Sequence, residues 1–261
     1  MTLKWVSTYP ADADTIAYMQ AVETADGQAL ELDVIKAYDA FILGCKHDGI
    51  WDAIKASCIL AGARTLDGAL VPLKGGAPSK FGTVSNWNYN RKTGLQGDGS
   101  TNYLDSNQTA TVSSHTNYHQ AAYVGVKPTV STPFVSSDNI SNQRYLLYSN
   151  VTANETRAIS GTLGTAYFGG AGSLEAGFKG VTRSNSSSFS ARSNGTTSAV
   201  SSGAGVATSL TSFVFSTNLN GVASGFGDAR LSFYSIGSNL DLALLDARVT
   251  DLITAIGAAI P

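Results

Sequence analysis

The stretch 229–256, ARLSFYSIGSNLDLALLDARVTDLITAI, changes from the two-residue period of a strand to the three- and four-residue period of a helix. Its first half is apolar in both alternating sets, which predicts a strand buried on both faces. The two sets are Leu231, Phe233, Ser235 and Ser232, Tyr234, Ile236. Gly237 interrupts the strand, Ser238 or Asn239 is the expected cap of the helix, and Gly257 is its expected end. The stretch therefore predicts a central strand that feeds a closing helix.

Three amphipathic segments precede residue 61, and their spacing predicts three helices. The expected ranges are 12–23, 31–46 and 51–60. Asp12 or Asp14 is the expected cap of the first helix, and Asp26-Gly27 is its expected stop. The apolar stripes lack polar groups that could hold a cofactor, so we interpret them as packing faces.

Beyond residue 65 the helical period disappears, and short alternating segments predict strands at 118–127, 143–149, 187–192 and 210–217. Asn194-Gly195 predicts a hairpin turn, and Phe213 and Phe215 are expected to point into the core. Residues 75–90 are expected to form a long loop. Many short strands separated by turns predict a sandwich or jelly roll, with a domain boundary near Gly75.

The composition excludes several kinds of partner. Charged residues are 14% of the 261 and the net charge is −2, without a cluster of Lys and Arg, so nucleic acid and membrane are not expected partners. The N-terminus lacks the pattern of a signal peptide, which predicts a product that begins in the cytosol. Cys45 and Cys58 have no second ligand at metal-binding spacing, and we expect buried free thiols.

The segment TGLQGDGSTNYLDSN, residues 93–107, resembles the first core strand of laminin-G-like and pentraxin-like domains of the concanavalin A-like superfamily. The positions that carry the resemblance are Leu95, Asp98, Gly99, Tyr103 and Leu104. These domains also end with a strand and a short helix, as residues 229–256 do. The resemblance implies a concanavalin A-like jelly roll over about residues 75–256.

A second resemblance covers nearly the whole chain. The stretches DGIWDAIKASCILAGARTLDGALVPLKG (48–75), YNRKTGLQGDGSTNYLDSN (89–107) and LSFYSIGSNLDLALLDARVTDLITAI (231–256) look like proteins of tailed bacteriophages, described as virion structural or tail-fibre proteins. The resemblance implies a particle component assembled in the host cytoplasm. It also implies that other virion proteins are partners and that the virion is the location.

Catalytic motifs are not expected in this chain. A glycosidase on this fold needs two carboxylates spaced by two on a strand, and Glu31-x-Asp33 lies in a predicted helix. His115 and His119 are interpreted as loop and strand residues, because no Gly-x-Ser-x-Gly elbow accompanies them. Gly97-Asp98-Gly99-Ser100 predicts a turn held by the Asp98 side chain. We expect no catalytic residues, no cofactor and no metal.

Exposed aromatic rings could stack on sugars while Asn and Ser supply hydrogen bonds; core packing or subunit contacts are the other interpretation. The candidates are Trp87, Tyr89, Tyr145, Tyr148 and Tyr167.

The sequence thus predicts a mainly β protein, with a helical segment for attachment or oligomerisation at 1–74 and a concanavalin A-like jelly roll at 75–261, closed by a C-terminal helix. The first functional hypothesis is a non-enzymatic bacteriophage virion protein, such as a fibre, an adhesin or a capsid decoration protein. The alternative is a carbohydrate-binding module for host cell-surface glycans, and a glycan-degrading enzyme comes third. By analogy with fibre and decoration proteins, we expect a homotrimer.

Overall fold

The computed structural model describes residues 11–141, 143–161 and 172–261, together with the backbone of residues 166–168. The helices are α1 (Ala13–Asp26), α2 (Leu32–His47), α3 (Leu66–Ala69) and α4 (Leu242–Ala259). The strands are β1 (Ile54–Ile59), β2 (Ser79–Phe81), β3 (Asn88–Asn90), β4 (Gly94–Gln96), β5 (Tyr103–Thr109), β6 (Tyr118–Val126), β7 (Pro133–Asp138), β8 (Arg144–Asn150), β9 (Glu155–Gly161), β10 (Ala166–Phe168), β11 (Gly177–Arg183), β12 (Ser188–Ser193), β13 (Thr196–Ser201), β14 (Thr211–Val214), β15 (Thr217–Leu219), β16 (Val222–Ser224) and β17 (Arg230–Gly237).

The strands form two sheets that pack face to face. The first sheet has the order β13-β12-β11-β6-β17-β4-β3, with β1 beside β17. The second sheet has the order β10-β9-β8-β7-β14-β5-β2, and β15 lies beside β7 and pairs with β16. Neighbouring strands run antiparallel, apart from β15 and β7. The order crosses over repeatedly between distant strands, as expected of a jelly roll.

Two hydrophobic cores hold three layers together. One core lies between the sheets and includes Leu104 of the second sheet and Val181 of the first. The other core lies between the first sheet and helices α1, α2 and α4, where the rings of Phe41 and Phe233 meet edge to face at 5.7 Å. This arrangement confirms the predicted class, a mainly β sandwich with N-terminal helices and a closing C-terminal helix.

Strand β17 occupies the centre of the first sheet and is buried along its whole length, as its sequence predicts. The expected alternation is wrong at one position: Leu231 faces the second sheet, as Tyr234 does, whereas Phe233 faces the helices. The register with β6 shifts between Leu231 and Phe233. Such a bulge adds one residue and reverses the faces that follow it.

Helix α4 follows β17 as predicted, but both of its expected ends are wrong. Asp241 is the cap, because its carboxylate accepts the N–H of Ala243 at 2.7 Å. Ser238 instead donates its N–H to the carbonyl of Ala53. Gly257 remains helical, and α4 continues to Ala259 near the end of the chain.

The helices predicted at 12–23 and 31–46 are confirmed as α1 and α2, but the third is wrong. Residues Trp51–Ala53 form one 3-10 turn, and strand β1 follows. Ile54 and Cys58 are spaced by four residues, which suits a helix face, but in the strand they belong to different cores because the pairing with β17 shifts between Ile54 and Ala56. Tertiary pairing selects the strand over the helix, because β1 pairs with β17 from Ile54 to Ile59.

The β-rich part agrees with the sequence in most elements. Strands β6, β8 and β12 match their predicted ranges, and Asn194 and Gly195 both adopt positive φ in the turn between β12 and β13. Segment 210–217 was predicted as one strand and is two, β14 and β15, because the chain turns at Phe215 with φ 68°. Phe215 points into the core, whereas Phe213 lies on the opposite face.

Ion pairs join the helices to the sandwich. Arg91 donates two hydrogen bonds to the carboxylate of Glu31, at 3.1 and 2.7 Å, and Arg248 of α4 pairs in the same way with Asp48 after α2. The boundary near Gly75 stays a prediction, and β1 on its N-terminal side belongs to the first sheet. In the described residues, no helix is long and apolar enough to cross a membrane.

Candidate functional site

The outer face of the second sheet lies on the side of the sandwich opposite the helices. Because side chains alternate along a strand, residues next to the core-facing ones point outward. Leu104, Val214 and Leu147 belong to the core between the sheets. Cross-strand pairing then places one outward row across the sheet, and that row comprises Ser79, Asp105, Phe213, Ser136, Leu146 and Ile159.

Four aromatic rings gather at the β2–β5–β14 end of this face; we call them the aromatic strip, and they are Phe81, Tyr103, Phe213 and Phe226. The rings of Phe81 and Tyr103 are stacked, with centroids 4.7 Å apart and planes 5° from parallel. Tyr103 also contacts Phe213 at 4.6 Å and Phe226 at 6.1 Å. Phe81 remains 44% exposed, so the aromatic strip offers a ring surface to solvent. The contacts with the other rings hold Phe81 in place.

A carboxylate lies beside the aromatic strip. Asp105 follows Tyr103 by two residues, so both point outward, and Asp105 pairs across the strands with Phe213. One oxygen, Oδ1, accepts the N–H of Asn107 at 2.8 Å, whereas Oδ2 has no hydrogen-bond partner within the described residues. Burial and the nearby Asp105 carboxylate raise the pKa of Tyr103, which keeps its hydroxyl protonated. The surface thus combines ring faces with a hydrogen-bond acceptor.

Three of the sequence candidates, Tyr145, Tyr148 and Tyr167, belong to the second sheet, on strands β8 and β10. Tyr148 lies on the outer face, half-buried and opposite Arg157. The backbone of Tyr167 pairs with Arg157 on the other side, and its side chain lies outside the described residues. Tyr148 and the aromatic strip therefore share one face of the sheet, with β7 between them.

Tyr145, Tyr89 and Trp87 do not lie on the outer face of the second sheet. Tyr145 is wrong as a sugar-stacking residue, because its ring is fully buried between the sheets and its hydroxyl donates to the carbonyl of Val206. Tyr89 donates its hydroxyl to the carbonyl of Ala63, and burial raises its pKa. Trp87 is half-buried against Phe215, at 5.8 Å between ring centroids. The structure does not bring these three together with Tyr148.

Sequence reasoning missed the aromatic strip for identifiable reasons. Phe81 falls in the segment 75–90, which was predicted as a loop and contains the two short strands β2 and β3. Phe213 was expected in the core. Tyr103 was recognised only as part of the family resemblance, although its alternation with Leu104 and Asp105 was a usable signal for one outward face.

His119 and Ser235 have the spacing of a catalytic base and nucleophile. Nε2 of His119 lies 2.7 Å from the Ser235 hydroxyl, and Nδ1 lies 2.6 Å from the carbonyl of Ser238. The carbonyl can only accept, so Nδ1 carries the proton and Nε2 accepts from Ser235. Both side chains are fully buried, and substrate cannot reach them. The expected positions are confirmed, with His115 in a turn and His119 in a strand.

The remaining polar motifs have structural roles. Glu31 precedes α2 without a capping side-chain hydrogen bond and pairs with Arg91, and Asp33 follows in the first turn of that helix. The predicted turn at Asp98 is confirmed. Burial works against its charge, but N–H groups of Ser100, Thr101 and Asn102 donate to Oδ1 and lower the pKa of Asp98.

Metal-binding and thiol chemistry find no support in the part of the chain that the structure describes. No group of three His, Cys, Asp or Glu residues there could hold a metal ion. Cys45 and Cys58 are free and buried as predicted, and burial raises the pKa of each thiol to about 12. Neither thiol is therefore a ready nucleophile near neutral pH.

Comparison with known proteins establishes similarity in fold alone. No protein-family model matches the chain, and no curated protein sequence is similar to it. Among solved structures, the binding domain of botulinum neurotoxin serotype D matches with a TM-score of 0.52 and 12% identity, over 77% of this chain and 51% of that one. Domain 4 of AbnA, an extracellular arabinanase from Geobacillus stearothermophilus, in complex with arabinotriose, matches with a TM-score of 0.40 and 16% identity, over 69% and 82%. The CBM40 of a Ruminococcus gnavus IT-sialidase matches with a TM-score of 0.36 and 10% identity, over 57% and 85%.

The matched region is only part of several of these proteins. It spans about half of the neurotoxin domain, and 23% of the NanB sialidase from Streptococcus pneumoniae, which matches with a TM-score of 0.36. The similarity to the neurotoxin domain agrees with the two packed sheets described above, and at 12% identity it shows a β-sandwich fold alone.

Proposed function

We propose that this protein binds carbohydrate, and that the aromatic strip with Asp105 is its binding surface. The observation that carries the proposal is the stacked pair of Phe81 and Tyr103 on the outer face of the second sheet, where Phe81 is 44% exposed. An exposed ring offers an apolar plane to the C–H face of a sugar. Because Tyr103 already supports the ring of Phe81, little side-chain freedom is lost on binding.

The polar neighbour supplies the second half of sugar recognition. Oδ2 of Asp105 can accept a hydrogen bond from a sugar hydroxyl beside the ring. A hydrogen bond to a charged group is stronger than one between neutral groups, and it fixes the orientation of the sugar. This pairing of a ring and a carboxylate favours a hydroxyl-rich ligand over an anionic one.

A binding role without catalysis agrees with the carboxylates of the described residues. Glu31 and Asp33 are helix residues on the opposite side of the molecule, and Asp105 has no acidic neighbour in its outward row across β2, β14, β7, β8 and β9. Glycosidases need two carboxyl groups on either side of one bond.

The virion role stays a second proposal, carried by sequence resemblance. Its components are a place on a bacteriophage particle, attachment to other virion proteins through the N-terminal segment, and a homotrimer. Carbohydrate binding is compatible with that role, because a displayed sandwich could recognise a glycan on the host surface.

The proposal is tested by titrating the full chain with the oligosaccharide that scores highest on a glycan array. Phe81→Ala removes the exposed ring and should weaken binding about tenfold, as is usual for a central aromatic contact. Phe81→Leu keeps apolar area but removes the flat ring, so its dissociation constant should lie between those of the unmodified chain and of Phe81→Ala. Isothermal titration measures all three dissociation constants.

The matched control is Val84→Ala, which shortens a 78% exposed apolar side chain in the same segment, outside the aromatic strip. Its dissociation constant should equal that of the unmodified chain. The proposal fails if no glycan on the array binds, or if Phe81→Ala binds as tightly as Val84→Ala does.

A further inference from the structure

A cleft of about 340 Å³ opens where α4 begins, on the helix-covered side of the first sheet. We call it the polar cleft; residues that line it include Asn185, Ser190, Asn239, Asp241 and Leu242. Helix α4 packs on β11 and leaves the neighbouring end of β12 open. The polar cleft therefore lies on the opposite side of the molecule from the aromatic strip, and its volume falls in the range of small-molecule sites.

Three side chains of the polar cleft each have one polar atom in a hydrogen bond and a second polar group without a partner in the described residues. Oδ1 of Asp241 accepts the N–H of Ala243, Oδ1 of Asn239 accepts the hydroxyl of Thr182, and Oδ1 of Asn185 accepts the N–H groups of Ser187 and Ser188. Within the described residues, Oδ2 of Asp241 and the Nδ2 groups of both asparagines have no hydrogen-bond partner. These three exposed side chains thus offer one acceptor and two pairs of donors around one cleft.

The site is not the helix N-terminus itself. Asp241 already occupies the first N–H groups of α4, so an anion would meet a carboxylate where free N–H groups would otherwise attract it. Asp241 is also the single ionisable side chain among the described residues that line the polar cleft. A cation would meet the amide donors of Asn185 and Asn239. The lining suits a ligand that is uncharged and both donates and accepts hydrogen bonds.

We propose that the polar cleft is a second binding site, for one uncharged saccharide unit. A hydroxyl of the sugar donates to Oδ2 of Asp241, and neighbouring oxygens accept from Nδ2 of Asn239 and Asn185. The hydroxyl of Ser190, without a partner in the described residues, and the apolar side chain of Leu242 complete the contacts. This inference does not rest on the aromatic strip, because the two sites share no residue.

The test is nuclear magnetic resonance on the full chain with labelled methyl groups. The probes are glucose, galactose, mannose and N-acetylglucosamine, with glucuronate as a charged comparison. At least one uncharged sugar should shift the methyl signals of Ala243 and Leu240, which line the polar cleft. Titration to about 50 mM would detect a millimolar dissociation constant.

Asp241→Asn is the informative variant, because asparagine caps helices as well as aspartate does. The change keeps the capping oxygen but replaces the free acceptor by a donor, so it should weaken binding about tenfold. The control is Asp251→Asn, an exposed carboxylate of the same helix outside the polar cleft, which should bind like the unmodified chain. Ser190→Leu, which fills the cleft from β12, should abolish the shifts while the thermal midpoint stays within a few degrees.

Several results would overturn the proposal. These are the absence of shifts at Ala243 with every uncharged sugar, tighter binding of glucuronate than of the uncharged sugars, or unchanged binding in a folded Ser190→Leu variant. Shifts at the aromatic strip with a silent polar cleft would sink this inference and leave the proposed function standing. Loss of binding in Phe81→Ala with unchanged shifts at Ala243 would show that the two sites are separate.

Discussion

Buried His119 makes stability depend on pH. Burial lowers its pKa from 6.5 to about 4, so the folded chain keeps the ring neutral where the unfolded chain binds a proton. The free energy of unfolding should therefore fall as pH decreases from 6.5 to 4, by up to about 3 kcal/mol, and this contribution is fully present above pH 6.5. Urea denaturation at pH 7 and pH 4.5 measures the change.

His119→Gln removes the titrating group and serves as the comparison for this prediction. Its free energy of unfolding at pH 7 should be lower, since two buried hydrogen bonds are altered, but its loss between pH 7 and pH 4.5 should be smaller. Equal losses in both chains would assign the acid sensitivity to carboxylates instead.

Among the described residues, the guanidinium of buried Arg183 donates hydrogen bonds to uncharged oxygens only. It donates to the hydroxyl and carbonyl of Ser160 and to the carbonyls of Asn185, Ser202 and Gly203. Arg183→Met would remove these hydrogen bonds from a fully buried side chain, so the free energy of unfolding should fall by about 3 kcal/mol. Chemical denaturation measures the loss.

Lys127→Met provides the control for Arg183, because Lys127 pairs with Glu175 at the surface, where both side chains are about half exposed. The free energy of unfolding of this control variant should fall by no more than about 1 kcal/mol. Equal losses in the two variants would contradict the structural role of Arg183.

Residue roles are predictable from sequence when the partners are close along the chain. The turn at Asp98 was predicted because its donors follow within four residues. The hydrogen bonds of Arg183 were not predicted, since its partners at 160, 185 and 202–203 come together only in the folded sandwich. The same reason hid the stacking of Phe81 on Tyr103.

At the scale of elements, strand β1 can be distinguished from the helix that its sequence predicts by changing one exposed position. Lys55 is the exposed residue of the strand. Lys55→Thr places a β-branched residue there, so the free energy of unfolding should stay equal or rise by up to about 1 kcal/mol. In a helix, the same change would lower it by about 0.5 kcal/mol. Thermal denaturation of both chains separates these outcomes, and a clear loss would contradict the assignment of β1.

Elements with a long, regular pattern were predicted well, and short ones were not. The helices α1, α2 and α4 and the strands β6, β8 and β12 follow local periodicity that tertiary contacts reinforce. The three-residue edge strands β2 and β3 are too short to show a period. Strand β1, and the turn at Phe215 that separates β14 from β15, depend on partners distant in sequence.

For the whole molecule, the helices and β1 cover the first sheet, so a chain that begins at Gly75 should not fold cooperatively. It would expose Phe233 and the apolar face of α4 to water. Circular dichroism during thermal denaturation should show a cooperative transition for the full chain and none for the shortened one. Adding residues 1–74 as a separate peptide should restore part of the transition.

A shortened chain that unfolds cooperatively at the temperature of the full chain would contradict this account, and would support the predicted division at residue 75. The fold class, a mainly β sandwich with a closing helix, was predictable because many turn signals indicate the short strands and one strand followed by a helix indicates the C-terminal end. The placement of the helices over the first sheet was not predictable from local patterns, and it puts the outer face of the second sheet on the other side of the molecule.

The central claim is that the aromatic strip, on the outer face of the second sheet, binds carbohydrate. The most direct test is a map of backbone amide shifts in the full chain, titrated with the oligosaccharide that binds best on the array. The account predicts saturable shifts that cluster at Phe81, Tyr103, Asp105, Phe213 and Phe226. A binding oligosaccharide that shifts none of these five residues would contradict it.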